Sequence, residues 1–216
     1  MAMETDHTLV RWRRRKGARP QELLDAAFAV FVEKGFADAR LDDIAAKAGV
    51  SKGTVYLYFD SKEAVFKEMI GRVADAKLEM VAHLVESHQG SFAALLRQLA
   101  GLMAAHISQP PLMHFPRLII GESRRFPELA AFYLDLAITR ARKILMRIIE
   151  RGQETGEFRA IPPRHAAHLF ISPLLFVPIY KTVFEPHDPE AFDLAGHISA
   201  HLDIFLRGIC TGEPAS

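Results

Sequence analysis

Residues 44–69 read IAAKAGVSKGTVYLYFDSKEAVFKEM and contain two helical runs separated by the tetrapeptide AGVS at 48–51. The second run, from about Lys52 to Tyr58, spans about seven residues, too few for a helix that is stable alone in water. Neighbouring helices must therefore hold it in place. Two short helices joined by a glycine-containing turn and packed on a preceding helix form a helix-turn-helix pattern, whose second helix can lie in the major groove of DNA.

The rest of the chain has helical periodicity almost throughout. From Pro20 onward apolar residues recur at three- and four-residue spacing, and no run shows the two-residue alternation of a half-buried strand. Gly35 ends the first helix, Gly49 ends the second, and Asp60 with Glu63 forms a capping box that starts a long fourth helix. The sequence predicts an all-α fold of about nine helices, near residues 20–34, 41–48, 52–58, 61–88, 91–108, 115–124, 127–151, 163–184 and 189–209.

Composition limits the classes of protein. The chain has 216 residues, of which 50% are hydrophobic, enough for a sizeable core, and its single cysteine, Cys210, excludes an intramolecular disulfide framework. The amino-terminal residues lack the apolar core of a signal peptide, and the longest apolar stretch, 170–180, falls short of the roughly 20 residues of a membrane-spanning helix. The sequence therefore predicts a cytoplasmic protein without a membrane segment.

A basic segment lies near the amino terminus. Residues 11–19 carry six positive charges and no negative ones, although the net charge of the whole chain is only +1. Such a block repels itself and favours a polyanion. We interpret residues 1–19 as a basic flexible arm that lies along a DNA backbone or enters a minor groove. A solvated tail that merely aids solubility is the alternative.

One face of the short third helix is suited to DNA. At about 100° per residue, four side chains fall within an arc of about 140°: Lys52, Gly53, Tyr56 and Leu57. Val55 and Tyr58 lie on the other side. Lys52 offers a donor for a phosphate or a guanine, Gly53 lets the backbone come close, and Tyr56 offers a flat apolar body with a terminal hydroxyl.

Lys62 belongs to the same hypothesis. It lies in the first turn of the fourth helix, where its charge and the free backbone N–H groups can hold a DNA phosphate together. The alternative for the whole region 41–59 is an ordinary helical hairpin in which Tyr56, Tyr58 and Phe59 belong to the core.

The stretches LLDAAFAVFVEKGF (23–36) and DDIAAKAGVSKGTVYLYFDSKEAVF (42–66), with their separation, resemble the amino-terminal DNA-binding domain of the TetR family of bacterial transcriptional regulators. The segment FPRLIIGESRRFPELAAFYLDLAITRARKILMRIIERGQETGEFR (115–159) resembles more loosely the regulatory domain of the multidrug-efflux-type branch. The resemblance implies a helix-turn-helix DNA-binding domain at 20–62 and an effector-binding and dimerisation domain at 63–216.

Carried onto this chain, the resemblance also implies individual DNA contacts. The family usually opens its second helix with a small hydroxyl residue that caps the helix and touches phosphate, whereas this chain has Ala39, Arg40 and Leu41 there. That cap is therefore expected to be missing, with Arg40 long enough to reach a phosphate itself. The implied base or backbone contacts are Lys52, Gly53, Thr54 and Tyr56, the phosphate contacts are Tyr58 and Lys62, and Ser51 is the cap of the third helix.

The last two helices are candidates for pairing with a second copy. One helix-turn-helix reads few base pairs, so specificity requires two copies spaced to match successive major grooves. The resemblance implies a homodimer on a palindromic double-stranded DNA operator, joined by a four-helix bundle. A purely internal core is the alternative use of the apolar stripes on these helices. The predicted interface residues are Leu169, Phe176, Val177, Ile198, Leu202 and Phe205.

The middle helices mix methionine, aromatic and histidine side chains, which can line an apolar cavity with a few polar anchors. Plain core packing is the alternative, and the family resemblance favours a pocket for a small hydrophobic or amphipathic effector. Binding of that effector would bias the fourth helix and so change the distance between the two DNA-reading helices. The predicted pocket residues are Met103, His106, Phe115, Phe132, Tyr133, Phe170 and Leu174.

Metal and enzyme chemistry have little support. His197 and His201 stand four residues apart and His165 and His168 three apart, but no nearby cysteine or carboxylate cluster completes either set. No nucleophile elbow, phosphate loop or zinc signature occurs, so the sequence predicts no enzyme, no metal site and no cofactor. It predicts a ligand-responsive repressor, with a constitutive DNA-binding protein or a metal-responsive regulator as alternatives.

Overall fold

The computed structural model describes residues 7–212, apart from the side chains of residues 7–19, 73–77, 79–80 and 110–112. Over these residues the chain is helical and contains no β-strand. The predicted all-α class is confirmed. The α-helices are α1 His7–Asp38, α2 Leu41–Ala48, α3 Lys52–Tyr56, α4 Lys62–Ser87, α5 Phe92–Ile107, α6 Pro110–Glu122, α7 Pro127–Tyr133, α8 Arg140–Glu154, α9 Pro163–Ile179 and α10 Leu194–Ile209.

Helix α1 begins earlier than the sequence predicted. Its first residue is His7 instead of one near Pro20, so the backbone of the basic segment 11–19 is part of the helix. The side chains of that segment, and with them its predicted contact to DNA, lie outside the described residues. The predicted end of the helix at Gly35 is closer to the structure. Gly35 has φ 79° and ψ 165°, a conformation open essentially to glycine alone, and it interrupts the helix before a further turn that ends at Asp38.

The chain divides into two compact units between Ile70 and Gly71, within α4. The core of the first unit contains Phe31, Phe36 and Phe66, which we call the aromatic junction. Their ring centroids are 5.3 Å (Phe31–Phe36), 5.4 Å (Phe36–Phe66) and 6.1 Å (Phe31–Phe66) apart, and all three side chains are fully buried. These tilted and edge-on contacts join the end of α1 to the start of α4.

The second unit has its own hydrophobic core, to which the end of α4 and helices α5, α8, α9 and α10 contribute. The apolar side chains recur along each helix at the spacing of one face, which is why the helices pack around a common interior. Its buried residues include Val85, Leu95, Leu96, Leu99, Leu145, Ile148, Ile149, Phe170, Ile171, Leu174, Leu206 and Ile209.

A carboxylate from the loop after α8 caps the start of α5. Glu157 accepts hydrogen bonds from the Ser91 hydroxyl at 2.6 Å, from the Phe92 N–H at 2.7 Å and from the Ala93 N–H at 3.0 Å. Free N–H groups and the helix dipole both favour a negative charge at a helix N-terminus. Glu157 therefore satisfies donors more than 60 residues earlier in the chain.

An arginine of α8 plays the complementary role at the end of α4. The Arg151 guanidinium donates to the carbonyl of Val85, to that of Glu86 at 3.2 Å and to that of His88 at 2.8 Å. It also lies over the Phe92 ring, 5.0 Å from the centroid. Unpaired carbonyls end every helix, and a cation satisfies them well. The turn between α4 and α5 is thus fixed by α8 and the loop that follows it.

Gly152, inside α8, is required by packing. A Cβ atom there would lie 2.1 Å from the ring of Phe158, which is itself buried. Phe158 also forms an isolated antiparallel bridge with Cys210. A helix interior usually disfavours glycine by about 1 kcal/mol relative to alanine, and here the close approach of the ring explains its presence.

Several helix limits in the second unit differ from the predicted ones. Helix α6 begins at Pro110 instead of 115, and the predicted continuous helix 127–151 contains a π-helical segment, Leu134–Thr139, between α7 and α8. The predicted start of the last helix at 189 is also wrong. Helix α10 begins at Leu194, because Asp193 accepts a hydrogen bond from the Gly196 N–H at 2.9 Å and caps it.

The helical segment Pro163–His187 is long and apolar enough, by length and composition, to cross a membrane. It is longer than the stretch at 170–180 on which the sequence prediction rested. Its buried face, which includes Phe170 and Leu174, belongs to the core of the second unit. A core helix of a helical bundle passes the same test of length and composition.

Candidate nucleic-acid interface

The turn between α2 and α3 has the geometry of a helix-turn-helix. Gly49 ends α2 in the left-handed conformation, with φ 65° and ψ 32°, and the N–H of Val50 donates to the Ala45 carbonyl at 3.0 Å. Ser51 then caps α3, because its hydroxyl accepts from the Thr54 N–H at 3.3 Å and lies 2.9 Å from the Thr54 hydroxyl. The turn therefore fixes the start of α3 through local bonds.

Helix α3 is shorter than predicted and packs against the rest of the first unit through few side chains. It ends at Tyr56 instead of Tyr58, and Val55 is its only buried residue, followed by buried Phe59 just beyond the helix. Tyr56 is 47% exposed, Leu57 82% and Tyr58 40%. The helical-hairpin alternative placed both tyrosines in the core, and the structure leaves them at the surface. We call Lys52, Gly53, Tyr56 and Leu57 the outer face of α3.

Lys52 is held by two neighbours. Its Nζ lies 2.9 Å from Asp42 Oδ2 of α2 and 5.7 Å from the centroid of the Tyr56 ring. The hydrogen bond with Asp42, and the charge of that carboxylate, raise the pKa of Lys52 above its ordinary value. Lys52 is therefore charged and positioned on the outer face.

Gly53 has no packing reason to be glycine. A Cβ atom there would meet only the Ser51 hydroxyl, at 4.0 Å, and its backbone does not require positive φ. The missing side chain leaves open space on the outer face, where a DNA backbone or base edge can approach closely.

Arg40 occupies the position before α2, as the sequence predicted, and it is exposed. The sequence predicted that α2 lacks a small hydroxyl residue as its cap. Instead, a side chain from within the helix bonds to the residue before it, because the Arg40 N–H donates to Asp43 Oδ2 at 3.1 Å. The other oxygen of Asp43 lies 2.8 Å from Lys34 Nζ, and that bond lowers the pKa of the Asp43 carboxyl. The guanidinium of Arg40 is not needed to cap α2.

Lys62 corrects the sequence prediction. Its ammonium donates to the carbonyls of Phe36 at 2.6 Å, Ala37 at 2.7 Å and Ala39 at 3.2 Å, and it lies 4.7 Å from the centroid of the Phe36 ring. An ammonium has three protons to donate, and all three are directed at these carbonyls. In this structure Lys62 therefore closes the end of α1 and has no proton left for a DNA phosphate.

Sequence reasoning missed Asp42. It lies in the first turn of α2, ten residues before Lys52, and nothing in that spacing indicates contact. Only the reversal of the chain at Gly49 brings the carboxylate to the ammonium. A prediction would have needed the turn geometry.

Residues 23–69 match the family profile of bacterial regulatory proteins of the tetR family, and residues 94–208 match that of the AefR-like transcriptional repressor C-terminal domain. The chain belongs to the TetR family. The resemblance found in the sequence is confirmed, and this TetR-family chain is a DNA-binding transcriptional repressor and not an enzyme.

Individual relatives extend the similarity over both units. The fatty acid metabolism regulator protein of Bacillus subtilis is 38% identical over 203 residues, which cover 90% of this chain and 98% of the relative. The transcriptional repressor KstR2 of Rhodococcus jostii is 31% identical over 153 residues, 67% of this chain and 70% of the relative. A solved TetR-family regulator from Mesorhizobium loti has a TM-score of 0.71 and 28% identity, covering 91% of this chain and 99% of that one.

The predicted pocket residues of this TetR-family chain fall into two groups. Phe170 and Leu174 are fully buried in the core, and the Phe170 ring lies 5.6 Å from that of His201 and 5.2 Å from that of Phe205, both on α10. These two predictions are corrected, because core packing accounts for both side chains. Phe115 of α6 is buried, and the four predicted pocket residues on α5 and α7 are half-buried: Met103, His106, Phe132 and Tyr133.

Burial also affects Tyr133 chemically. Removal from water disfavours the phenolate and raises the pKa of Tyr133 above its ordinary value. A neutral phenol in partly apolar surroundings is a suitable hydrogen-bonding anchor for a small molecule.

The predicted dimer residues divide in a similar way. Val177 and Ile198 are buried within the chain itself, so they are core residues and the interface prediction is wrong for them. Leu202 and Phe205 are half-buried at the edge of the same core. The exposed apolar residues are Leu169 (66%) and Phe176 (47%) on α9 and Ile204 (73%) on α10. Ile204 was not predicted, because it lies about 160° from Leu202 around the helix and so outside the predicted apolar stripe.

Two of the four histidines considered as metal ligands, His201 and His168, have other polar neighbours. His201 Nε2 donates to the Phe170 carbonyl at 2.9 Å, and burial lowers the pKa of this imidazole. His168 Nε2 lies 3.4 Å from Arg142 Nη1. In the part of the chain that the structure describes, no three His, Cys, Asp or Glu side chains come together to hold a metal ion.

Proposed function

We propose that this chain is a ligand-responsive, cytoplasmic repressor that binds a palindromic operator as a homodimer and releases it when a small hydrophobic or amphipathic molecule binds the second unit. The outer face of α3 is the observation that carries the DNA-binding part. It presents a positioned cation, a position without a side chain and an exposed tyrosine on a helix anchored by Val55.

The chemistry of that face suits a major groove. The Lys52 ammonium can donate to guanine O6 and N7 or to a phosphate, and the Tyr56 ring can contact a thymine methyl group while its hydroxyl donates to a phosphate. Four further residues with polar side chains remain predicted DNA contacts: Arg40, Ser51, Thr54 and Tyr58. Lys62 is left out of this set, because its protons are directed at carbonyls.

The exposed apolar residues of α9 and α10 support the homodimer. Leu169 and Phe176 are seven residues apart, which places them on one face of α9, and Ile204 is a large hydrophobic residue exposed on α10. Exposed aliphatic and aromatic side chains on adjacent helices are typical of a surface that a second subunit covers. The proposed interface therefore centres on the exposed residues Leu169, Phe176 and Ile204. Leu202 and Phe205, which also pack against the core, remain predicted members of the interface.

The proposed effector site comprises Met103, His106, Phe115, Phe132 and Tyr133. Phe115 is buried and the other four side chains are half-buried, and their mixture of apolar surface, an imidazole and a neutral phenol suits an amphipathic molecule. The regulator of fatty acid metabolism in Bacillus subtilis is a relative over most of its length, so compounds with a fatty acyl chain are the first to test. Such a ligand releases DNA only to the extent that it binds the DNA-free form more tightly.

The DNA contacts are tested by a gel-shift titration at fixed salt on the fragment that the protein protects in DNA flanking its own gene. Lys52→Ala and Tyr56→Ala should each weaken binding about tenfold, while Lys47→Ala should have little effect. Lys47 is a matched control, because it is an exposed lysine of α2 that pairs with Glu33 at 3.3 Å. Equal affinity of the Lys52 and Lys47 variants would contradict the proposed interface.

The effector is tested by thermal unfolding of the intact protein with fatty acids, acyl-CoA compounds, hydrophobic cations and aromatic acids. A true effector raises the melting temperature, because it stabilises the folded state by mass action, and it also lowers operator affinity. A protein whose melting temperature moves with none of these compounds, and whose DNA binding none of them relieves, is the constitutive binder of the alternative hypothesis.

A further inference from the structure

Asp42 occupies a position that matters for DNA if the proposed outer face is correct. Its Oδ2 lies 2.9 Å from Lys52 Nζ, and the side chains of both residues are more than half exposed. The lysine is at the same time 5.7 Å from the centroid of the Tyr56 ring. A negative charge therefore stands beside the principal cation of the outer face.

This ion pair contributes little to folding. Exposed pairs of this kind contribute little to stability, because water and salt screen both charges. Two other pairs of the same unit, Lys34 with Asp43 and Lys47 with Glu33, connect α1 to α2 and do not involve α3. Asp42 lies in the first turn of α2, where the helix dipole favours a negative charge. That effect does not require contact between the carboxylate and Lys52.

The consequence for DNA binding is electrostatic. Non-specific binding depends almost entirely on cations that neutralise phosphates and release counterions. A Lys52 already paired with Asp42 contributes less to that term, and the carboxylate itself repels a nearby phosphate. At a matching sequence, contacts with base edges compensate for the loss of the Asp42–Lys52 ion pair. The carboxylate can accept a hydrogen bond from the amino group of cytosine, and the lysine can donate to guanine.

We propose that Asp42 is a specificity-determining residue, which pairs with Lys52 and lowers affinity for DNA in general more than affinity for the operator. The proposal rests on the proposed function of the outer face. Discrimination between partners is set by the difference of two affinities, and a built-in repulsion toward the wrong partner increases that difference.

The test is Asp42→Asn, measured on two duplexes of equal length, the protected fragment and a scrambled version of it, from about 50 to 200 mM salt. The variant should bind the scrambled duplex about five- to tenfold more tightly, with a salt slope steeper by about 0.9, the value for one more phosphate contact. Affinity for the protected fragment should change less than about threefold, so the specificity ratio falls. An unchanged ratio overturns the proposal.

Two further variants separate pairing from net charge and from folding. Glu33→Gln removes the same charge from the Lys47 pair and should leave the ratio unchanged. In a Lys52→Met background, Asp42→Asn should have a smaller effect on the scrambled duplex, because only the direct repulsion between the carboxylate and phosphate is then removed. An undiminished effect there overturns the proposal. Asp42→Glu keeps the charge at the start of α2 and should keep the ratio close to that of the original protein.

The same series distinguishes this proposal from the proposed function. If Lys52→Met leaves binding to the protected fragment intact, the outer face is not the DNA interface and both fail. If Lys52→Met weakens binding while Asp42→Asn leaves the ratio unchanged, only the role of Asp42 fails.

Discussion

Lys52 and Lys62 stand ten residues apart in the first unit and are used in opposite ways. Lys52 is exposed on the outer face of α3 and pairs with one carboxylate. Lys62 is half-buried at the aromatic junction, where it donates to three carbonyls at the end of α1. The same side chain is thus proposed to contact DNA in one region and stabilises the fold in the other. Which role it takes depends on whether backbone acceptors lie within its reach.

The largest expected effect breaks the aromatic junction. Phe66→Ala removes a fully buried ring that contacts Phe31 and Phe36, so it should cost about 3–5 kcal/mol of unfolding free energy. Urea denaturation followed by circular dichroism measures this change. Tyr56→Ala on the outer face should cost less than about 1 kcal/mol. Similar losses of unfolding free energy for Phe66→Ala and Tyr56→Ala would show that the outer face of α3 contributes to the core as the aromatic junction does.

Lys62→Met should have an intermediate effect. It keeps an apolar chain beside Phe36 but leaves three carbonyls without their charged donor, so it should cost about 2 kcal/mol of stability. The affinity and the salt slope of operator binding by the folded Lys62 variant should stay unchanged, whereas Lys52→Met should weaken operator binding about tenfold. A stable Lys62 variant that loses about one phosphate contact would instead support the original sequence prediction.

The smallest effect on folding is expected at Gly53. Alanine fits there without a clash and favours a helix, so Gly53→Ala should leave stability unchanged or raise it by up to about 1 kcal/mol. It should nevertheless weaken operator binding, because the methyl group occupies the space left for DNA. Gly49→Ala is the contrasting control. Gly49 has φ +65°, so alanine there should lower the melting temperature. Unchanged DNA affinity of Gly53→Ala would remove Gly53 from the interface.

Much of the fold was predictable because its signals are local. Apolar spacing predicted the helices, Gly35 and Gly49 predicted two of their ends, and Ser51 predicted the cap of α3. Each of these signals acts within a few residues of the structure that it determines. The helix-turn-helix could be predicted for the same reason, since its turn and both helices lie within one short stretch.

What escaped prediction depends on distant parts of the chain. The carbonyls that engage Lys62 are 23 to 26 residues away, and the donors that engage Glu157 are 64 to 66 away. Periodicity shows that a helix has apolar residues but not which neighbour covers them. Val177 and Ile198 therefore proved to be core, while Ile204 proved to be surface.

The anchoring of α3 through Val55 has an evolutionary consequence. The proposed DNA contacts lie on outward positions of this helix, where substitutions require no repacking of the interior. On this proposal a lineage can acquire new target sequences without passing through poorly folded intermediates. Duplicated copies of such a gene can diverge toward different promoters while the scaffold that carries the helix stays the same.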